Sequence, residues 1–212
     1  MKKYSVLTYI IGEYELVQEI EEKDNDAEYI LVTDNPRITS NTWNVIYETF
    51  PQSYSTFDKC YAIRFNPFKY CDSNICLRID GSIRIKKSTQ KIVDDFIESG
   101  ADMSLMIHPE RNTLVPEYNQ WIKTRKYPLE EAKKCLYFMA KCGYDVKYKG
   151  LYQGCFNITK RTKICDDINR MTYSFLKYLG DEKSIQRICQ TVWSFVINKF
   201  FSDKLKTNST LF

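Results

Sequence analysis

The chain has a single histidine, His108, and its eight cysteines, at positions 60, 71, 76, 135, 142, 155, 165 and 189, form no CxxC pair. Zinc fingers need closely spaced Cys and His ligands, and neither the cysteines nor the lone His108 supply that spacing. No apolar run approaches the length of a membrane span. Net charge is +4, but no block of consecutive Lys or Arg is long enough for a nucleic-acid footprint. The opening residues, MKKYSVLTYIIGEYE, turn polar too soon for a signal peptide and read as a first strand. There are no internal repeats and no low-complexity linker. The cysteines read as reduced thiols, and the expected location is the cytoplasm. Lys199, Lys204 and Lys206 beside an amphipathic last helix offer peripheral contact with the inner face of a membrane, although ordinary packing also accounts for that helix.

What is present is an ordinary globular composition, 43% hydrophobic and 27% charged, over 212 residues, which suits one α/β domain with a helical extension. Residues 4–11 form a near-continuous apolar run ended by Gly12. Residues 28–33 form a second strand that stops at Asp34-Asn35-Pro36, and residues 43–47 a third. Residues 57–65 carry helical spacing, with Lys59 and Arg64 off the apolar stripe. Residues 88–99 predict a helix stopped by Gly100, and residues 101–107 a strand ending at His108-Pro109. Further on, residues 129–142, 163–179 and 184–201 predict helices, the first two stopped by Gly143 and Gly180, and residues 152–159 a strand. The tail from Ser202 is expected to fray.

The stretch NICLRIDGSIRIK (74–86) is the most informative. Ile75, Leu77 and Ile79 alternate with Cys76, Arg78 and Asp80, the period of a half-buried strand, and Ile83-Arg84-Ile85 alternates again. Taken alone, Asp80-Gly81 between two such runs is a hairpin signal. Strands alternating with helices predict a mostly parallel sheet, however, and ligands of such sheets bind beyond the carboxyl ends of the strands. Gly12, Asp34, Asp80 and His108 all fall at such ends, which raises Asp80 from turn residue to candidate ligand.

Eight segments in order, YIIGEYE (9–15), YILVTDN (29–35), TWNVI (42–46), KCYAIRFNPFKY (59–70), CLRIDGSIRI (76–85), IHPER (107–111), GLYQGCFNITKR (150–161) and CQTVWSFVI (189–197), resemble a family of glycosyltransferase-like proteins of bacterial polysaccharide clusters and plant mucilage and cell-wall proteins. The resemblance implies the GT-A fold, a Rossmann-like, mostly parallel sheet flanked by helices with a helical C-terminal part. It implies one domain over residues 1–201, with a nucleotide-binding half to about residue 108 and an acceptor half beyond it. Tyr9, Gly12, Asp34, Lys59 and Arg64 would then line the nucleotide pocket. Asp80 would be a catalytic and metal-binding carboxylate for Mn²⁺ or Mg²⁺. His108 and Glu117 would be catalytic, with Glu110 able to replace Glu117, and Arg111, Tyr152 and Gln190 would contact sugar and acceptor. Two departures stand out: Ser82 replaces a second Asp, and a late Arg-Asp-Gln triplet reads Ile188-Cys189-Gln190.

The implied activity is transfer of a sugar from a nucleotide sugar to a glycan or lipid-linked glycan acceptor in surface polysaccharide (capsule or lipopolysaccharide) biosynthesis. The alternative is a GT-A-like module that binds nucleotide sugar but is catalytically impaired. A nucleic-acid partner is not expected.

Overall fold

The computed structural model describes residues 2–124, 127–179 and 188–208. In chain order the elements are β1 (Tyr4–Ile10), β2 (Ala27–Thr33), β3 (Asn44–Tyr47), α1 (Thr56–Arg64), β4 (Ile75–Ile79), α2 (Gln90–Glu98), β5 (Met103–Ser104), β6 (Met106–Ile107), α3 (Leu114–Lys123), α4 (Leu129–Lys141), β7 (Tyr152–Gln153), β8 (Phe156–Lys160), α5 (Lys163–Leu179), α6 (Cys189–Val196) and β9 (Thr207–Asn208). These group into two compact units. One holds the residues up to Ser104, Cys155–Asp166 and those from Lys206 on; the other holds Leu105–Gly154 and Asp167–Leu205.

The first unit is a seven-stranded α/β sheet in the order β3-β2-β1-β4-β8-β5-β9. β3, β2, β1 and β4 are parallel. β8 runs antiparallel between β4 and β5, and β9 lies parallel to β5. The near-continuous apolar character of β1 and β2 fits strands covered on both faces. On one face Tyr4, Val6, Ile10, Leu31, Leu77, Ile79 and Ile158 pack with Val93 and Phe96 of α2. On the other, Leu7, Ile11, Ile30, Val32 and Cys76 pack with Ile63 of α1. Helix α1 starts at a capping box in which Ser55 and Asp58 each accept the other's backbone N–H.

The second unit pairs β6 with β7 and is otherwise helical. The rings of Phe138, Tyr144, Phe175, Phe195 and Phe200 form its aromatic centre, with centroids 5.3–6.4 Å apart in the contacting pairs. No helix among the described residues is long and apolar enough to cross a membrane.

Several sequence expectations are corrected. Residues 83–86 are not a strand, so no hairpin forms at Asp80. Both edges of β4 are taken, by β1 and β8, and Ile83 and Ile85 pack into the core beside α2 instead. The strand expected over residues 101–107 breaks at Leu105 into β5 and β6, and that over 152–159 breaks into β7 and β8, each pair divided between two sheets. Helix α3 was not expected. The last helix runs from Cys189 to Val196 and continues as one π turn over Ile197–Phe201. Its expected start at Ser184 and the expected stop at Gly180 lie outside the described residues. The tail expected to fray carries β9 at Thr207–Asn208.

Candidate functional site

Strand parity builds the site. Successive side chains alternate between faces, so with Leu77 and Ile79 packed beside α2, Arg78 and Asp80 point to the face covered by α1. Tyr9 of β1 packs on that same face. So does Asn157 of β8, which stands opposite Arg78 in the antiparallel register. Helix α1 brings Arg64 in its last turn. The chain steps from β1 outward to β2 and β3 and then returns to the other side of β1 as β4. The crevice beyond the carboxyl ends of β1 and β4 is therefore the topological switch point of the sheet, the standard ligand position in open α/β folds. Tyr9 and Asp80 flank it.

Arg78 is 4% exposed. Its Nη1 donates to Asp80 Oδ1 at 3.1 Å and its Nε to Asn157 Oδ1 at 2.9 Å, while Asn157 Nδ2 donates to Thr159 Oγ1 at 2.8 Å. A buried charge needs such partners, because an unpaired one is costly. Burial, and then the neighbouring Arg64 charge, lower the proton affinity of Arg78, with Asp80 opposing. Burial likewise pushes the Tyr9 phenol well up, against the pull of Arg64. Glu15, in the loop after β1, has its pKa raised by burial and then by the charge of Asp80. A Cβ on Gly81 would run into Glu15 Oε2 and come within 3.1 Å of the Tyr9 carbonyl oxygen, which is why glycine follows Asp80.

Asp34 closes the neighbouring turn. Its Oδ1 accepts the Gly12 backbone N–H at 2.9 Å and its Oδ2 accepts Lys59 Nζ at 2.9 Å. Burial works against the charge on Asp34, but these donors win and its pKa is lowered. Gly12 has φ 69°, a conformation that favours glycine. Asp34, Lys59 and Gly12 thus tie the ends of β1 and β2 to α1.

The donor set does not fit a resident divalent cation. Among the described residues no group of three His, Cys, Asp or Glu side chains is placed to hold one. Asp80, the carboxylate implied by the resemblance, is already paired with the buried Arg78 guanidinium. Like unit charges about 4 Å apart repel by about 4 kcal/mol at an effective dielectric of about 20, so a dication beside Arg78 works against a standing charge.

In the second unit the structure brings His108, Arg111, Glu117 and Gln190 together. Glu117 is 3% exposed. Its Oε2 accepts from Arg111 Nε, and its Oε1 accepts from Gln190 Nε2 at 3.1 Å. Gln190 Oε1 accepts the Gly154 N–H at 3.3 Å. Glu110 also pairs with Arg111, at 2.7 Å, from an exposed position. His108 Nδ1 accepts the backbone N–H groups of Glu110 and Arg111 at 3.2 and 3.1 Å, which fixes the turn into α3. Its Nε2 lies 2.9 Å from Arg111 Nη2 and 3.8 Å from Glu117 Oε2. Burial lowers the His108 pKa, with Glu117 raising and Arg111 lowering it further. Tyr152 is not an open stacking platform: its hydroxyl donates to Asn198 Oδ1 at 3.0 Å and its ring meets Trp193 edge-on. Burial pushes its phenol up to about 12.

Sequence reasoning named Asp80 and the polar partners of Glu117 as candidates, but not Arg78, Glu15 and Asn157, which the structure groups around Asp80 and Arg78. Alternation alone put Arg78 on the polar side of a half-buried strand. The one available signal was that β4 lies in a sheet expected to be covered on both faces, where a polar side chain on either face is buried.

No protein-family profile matches the chain, and no curated protein matches it. Among solved structures it is similar to mouse xyloside xylosyltransferase 1 in its apo form, with a TM-score of 0.48 and 8% identity over 97% of this chain and 84% of that one.

Proposed function

We propose that this chain is a nucleotide-sugar-dependent glycosyltransferase acting on a glycan or lipid-linked glycan in surface polysaccharide synthesis, working in the cytoplasm at the inner face of the membrane. The observation that carries this reading is the cluster of Tyr9, Arg64, Arg78 and Asp80 at the switch point of a mostly parallel sheet. That crevice is where mononucleotides bind in open α/β sheets, and guanidinium groups are suited to phosphate oxygens. The ordered sequence resemblance points the same way.

In the reaction the bond between the anomeric carbon and the diphosphate oxygen breaks, and its electron pair leaves on the diphosphate. The acceptor hydroxyl oxygen bonds to that carbon, and its proton passes to a base and on to water. The step is governed by how well the enzyme meets the charge gathering on the leaving group. On this reading Tyr9 and the Gly12 turn, held by the Asp34–Lys59 pair, receive the nucleoside, and Arg64 and Asp80 stand at the diphosphate. The sequence resemblance assigns the sugar and acceptor to His108, Arg111, Glu117 and Gln190 of the second unit.

The test is a panel of uridine, guanosine, adenosine, cytidine and thymidine diphosphate sugars, with release of nucleoside diphosphate as the readout and Asp80→Ala as the control. Release above the Asp80→Ala background supports the reading. Binding without release supports the impaired module, for which the missing Asp at Cys189 speaks. No binding of any member overturns both.

A further inference from the structure

We infer that Arg78, together with Arg64, takes the diphosphate in the place a divalent cation would occupy, and that Asp80 serves to orient Arg78. This rests on the nucleotide-sugar reading above and concerns how that same crevice binds phosphate.

Three observations converge. First, Arg78 is preorganised: its side chain is 5% exposed, and both its neighbours fix it, Asn157 from β8 and Asp80 from the end of its own strand. Asn157 is itself held by Thr159, so the guanidinium plane is set by a chain of hydrogen bonds that begins in the middle of the sheet. Donors fixed before the ligand arrives lose little freedom when it binds. Second, positive charge is concentrated there. Arg64, in the last turn of α1, adds its charge to that of Arg78 and lowers the proton affinity of Tyr9, Arg78 and Cys155. The two guanidinium charges oppose each other, and the partly exposed Asp80 carboxylate offsets only part of that repulsion, which an arriving dianion relieves. Third, the acidic groups are arranged to shape that charge rather than to bind metal. Asp80 Oδ1 faces Arg78, and Glu15 has its pKa raised by burial and by Asp80.

A guanidinium differs from a dication in a measurable way. It binds phosphate without recruiting a second ion, so nucleotide affinity is not coupled to metal concentration. A metal bridged between Asp80 and the phosphates would couple the two reciprocally.

The experiment is calorimetric titration of the full chain with the five nucleoside diphosphates and their parent nucleosides, in EDTA and then in Mn²⁺. Variants are Arg78→Lys and, because a change at a buried position can impair folding, Arg64→Met on the partly exposed helix turn, with circular dichroism confirming each fold. The expected result is that the best diphosphate binds with less than about a threefold difference between EDTA and Mn²⁺. Each folded variant should lose about tenfold or more in diphosphate affinity while nucleoside affinity stays the same. A larger gain with Mn²⁺, or unchanged diphosphate affinity in Arg64→Met, overturns the inference and leaves the nucleotide-sugar reading standing. Absence of diphosphate and nucleoside binding in both conditions overturns that reading and the inference with it.

Discussion

Arg78 and Asp80 stand two residues apart on one strand, share a face by alternation, and pair at 3.1 Å with Arg78 inside the protein and Asp80 at its rim. The two ends of this pair therefore have different weights. Removing Asp80 leaves Arg78 its bond to Asn157, whereas removing Arg78 leaves a cavity and two acceptors without their donor.

Asp80→Ala is accordingly expected to fold, at a cost of about 1–2 kcal/mol, while Arg78→Ala costs about 3–5 kcal/mol. Urea unfolding of both variants checks the order. Asp80→Ala should also abolish sugar transfer, and full turnover by that variant would return Asp80 to a plain loop residue.

Gly81→Ala should destabilise by about 1–3 kcal/mol, because the added methyl meets Glu15 Oε2 and the Tyr9 carbonyl oxygen. Adding Glu15→Ala should recover only part of the loss, since the carbonyl cannot move aside as a side chain can. Full recovery in the double variant would mean that the backbone contact is unimportant.

Asp24 gives the fold an acid limit. Burial works against its charge, but hydrogen bonds from Ser88, Tyr4 and Thr89 bring its pKa down from 3.8 to about 2. A folded-state pKa below the unfolded one means that the stabilisation is full above pH 3.8 and is lost as pH falls through about 2. With solvent contact discounted, it is worth about 2 kcal/mol or less. Asp24→Asn should therefore be less stable than the parent at neutral pH, and the gap should close near pH 2. A gap independent of pH would assign the loss to geometry rather than charge.

His108 imposes a second pH dependence at milder acidity. Its pKa is lowered from 6.5, chiefly by burial. The unfolded chain thus takes up the proton first, and folding weakens as pH falls below about 6.5. Stability measured from about pH 7 to about pH 5 should fall more steeply in the parent than in His108→Asn, whose amide oxygen can still accept the Glu110 and Arg111 N–H groups. Parallel curves would show that the imidazole does not titrate in that range.

Long apolar runs with clear stops were legible: β1, β2 and α4 lie within a residue or two of their expected ends, and α5 starts at Lys163 as expected. The strand ends at Gly12, Asp34 and Asp80 follow from the same signals, whereas His108 follows β6 of the separate two-stranded sheet and not a strand of the parallel one. The hairpin at Asp80 was misread because local turn chemistry competes with an edge already taken by β8, whose position in sequence gives no warning of that pairing. Helix α3 was hidden by Pro116 within its first turn, where proline is tolerated, and by Thr113, whose side chain makes no capping bond. The Glu117 group was reachable through the family resemblance, not from residue spacing, since Gln190 lies 73 residues away.

The insertion of β8 between β4 and β5 has a consequence for biogenesis. Arg78 and Asn157 are 79 residues apart, so β4 emerges from the ribosome long before the strand that completes it. Until then its Ile75–Ile79 segment presents an unpaired edge with apolar side chains, the kind of edge that recruits strands from other chains. Any fragment that stops short of Lys160 is expected to aggregate rather than fold as a minimal nucleotide-binding half, and dissection of this protein by truncation must keep β8.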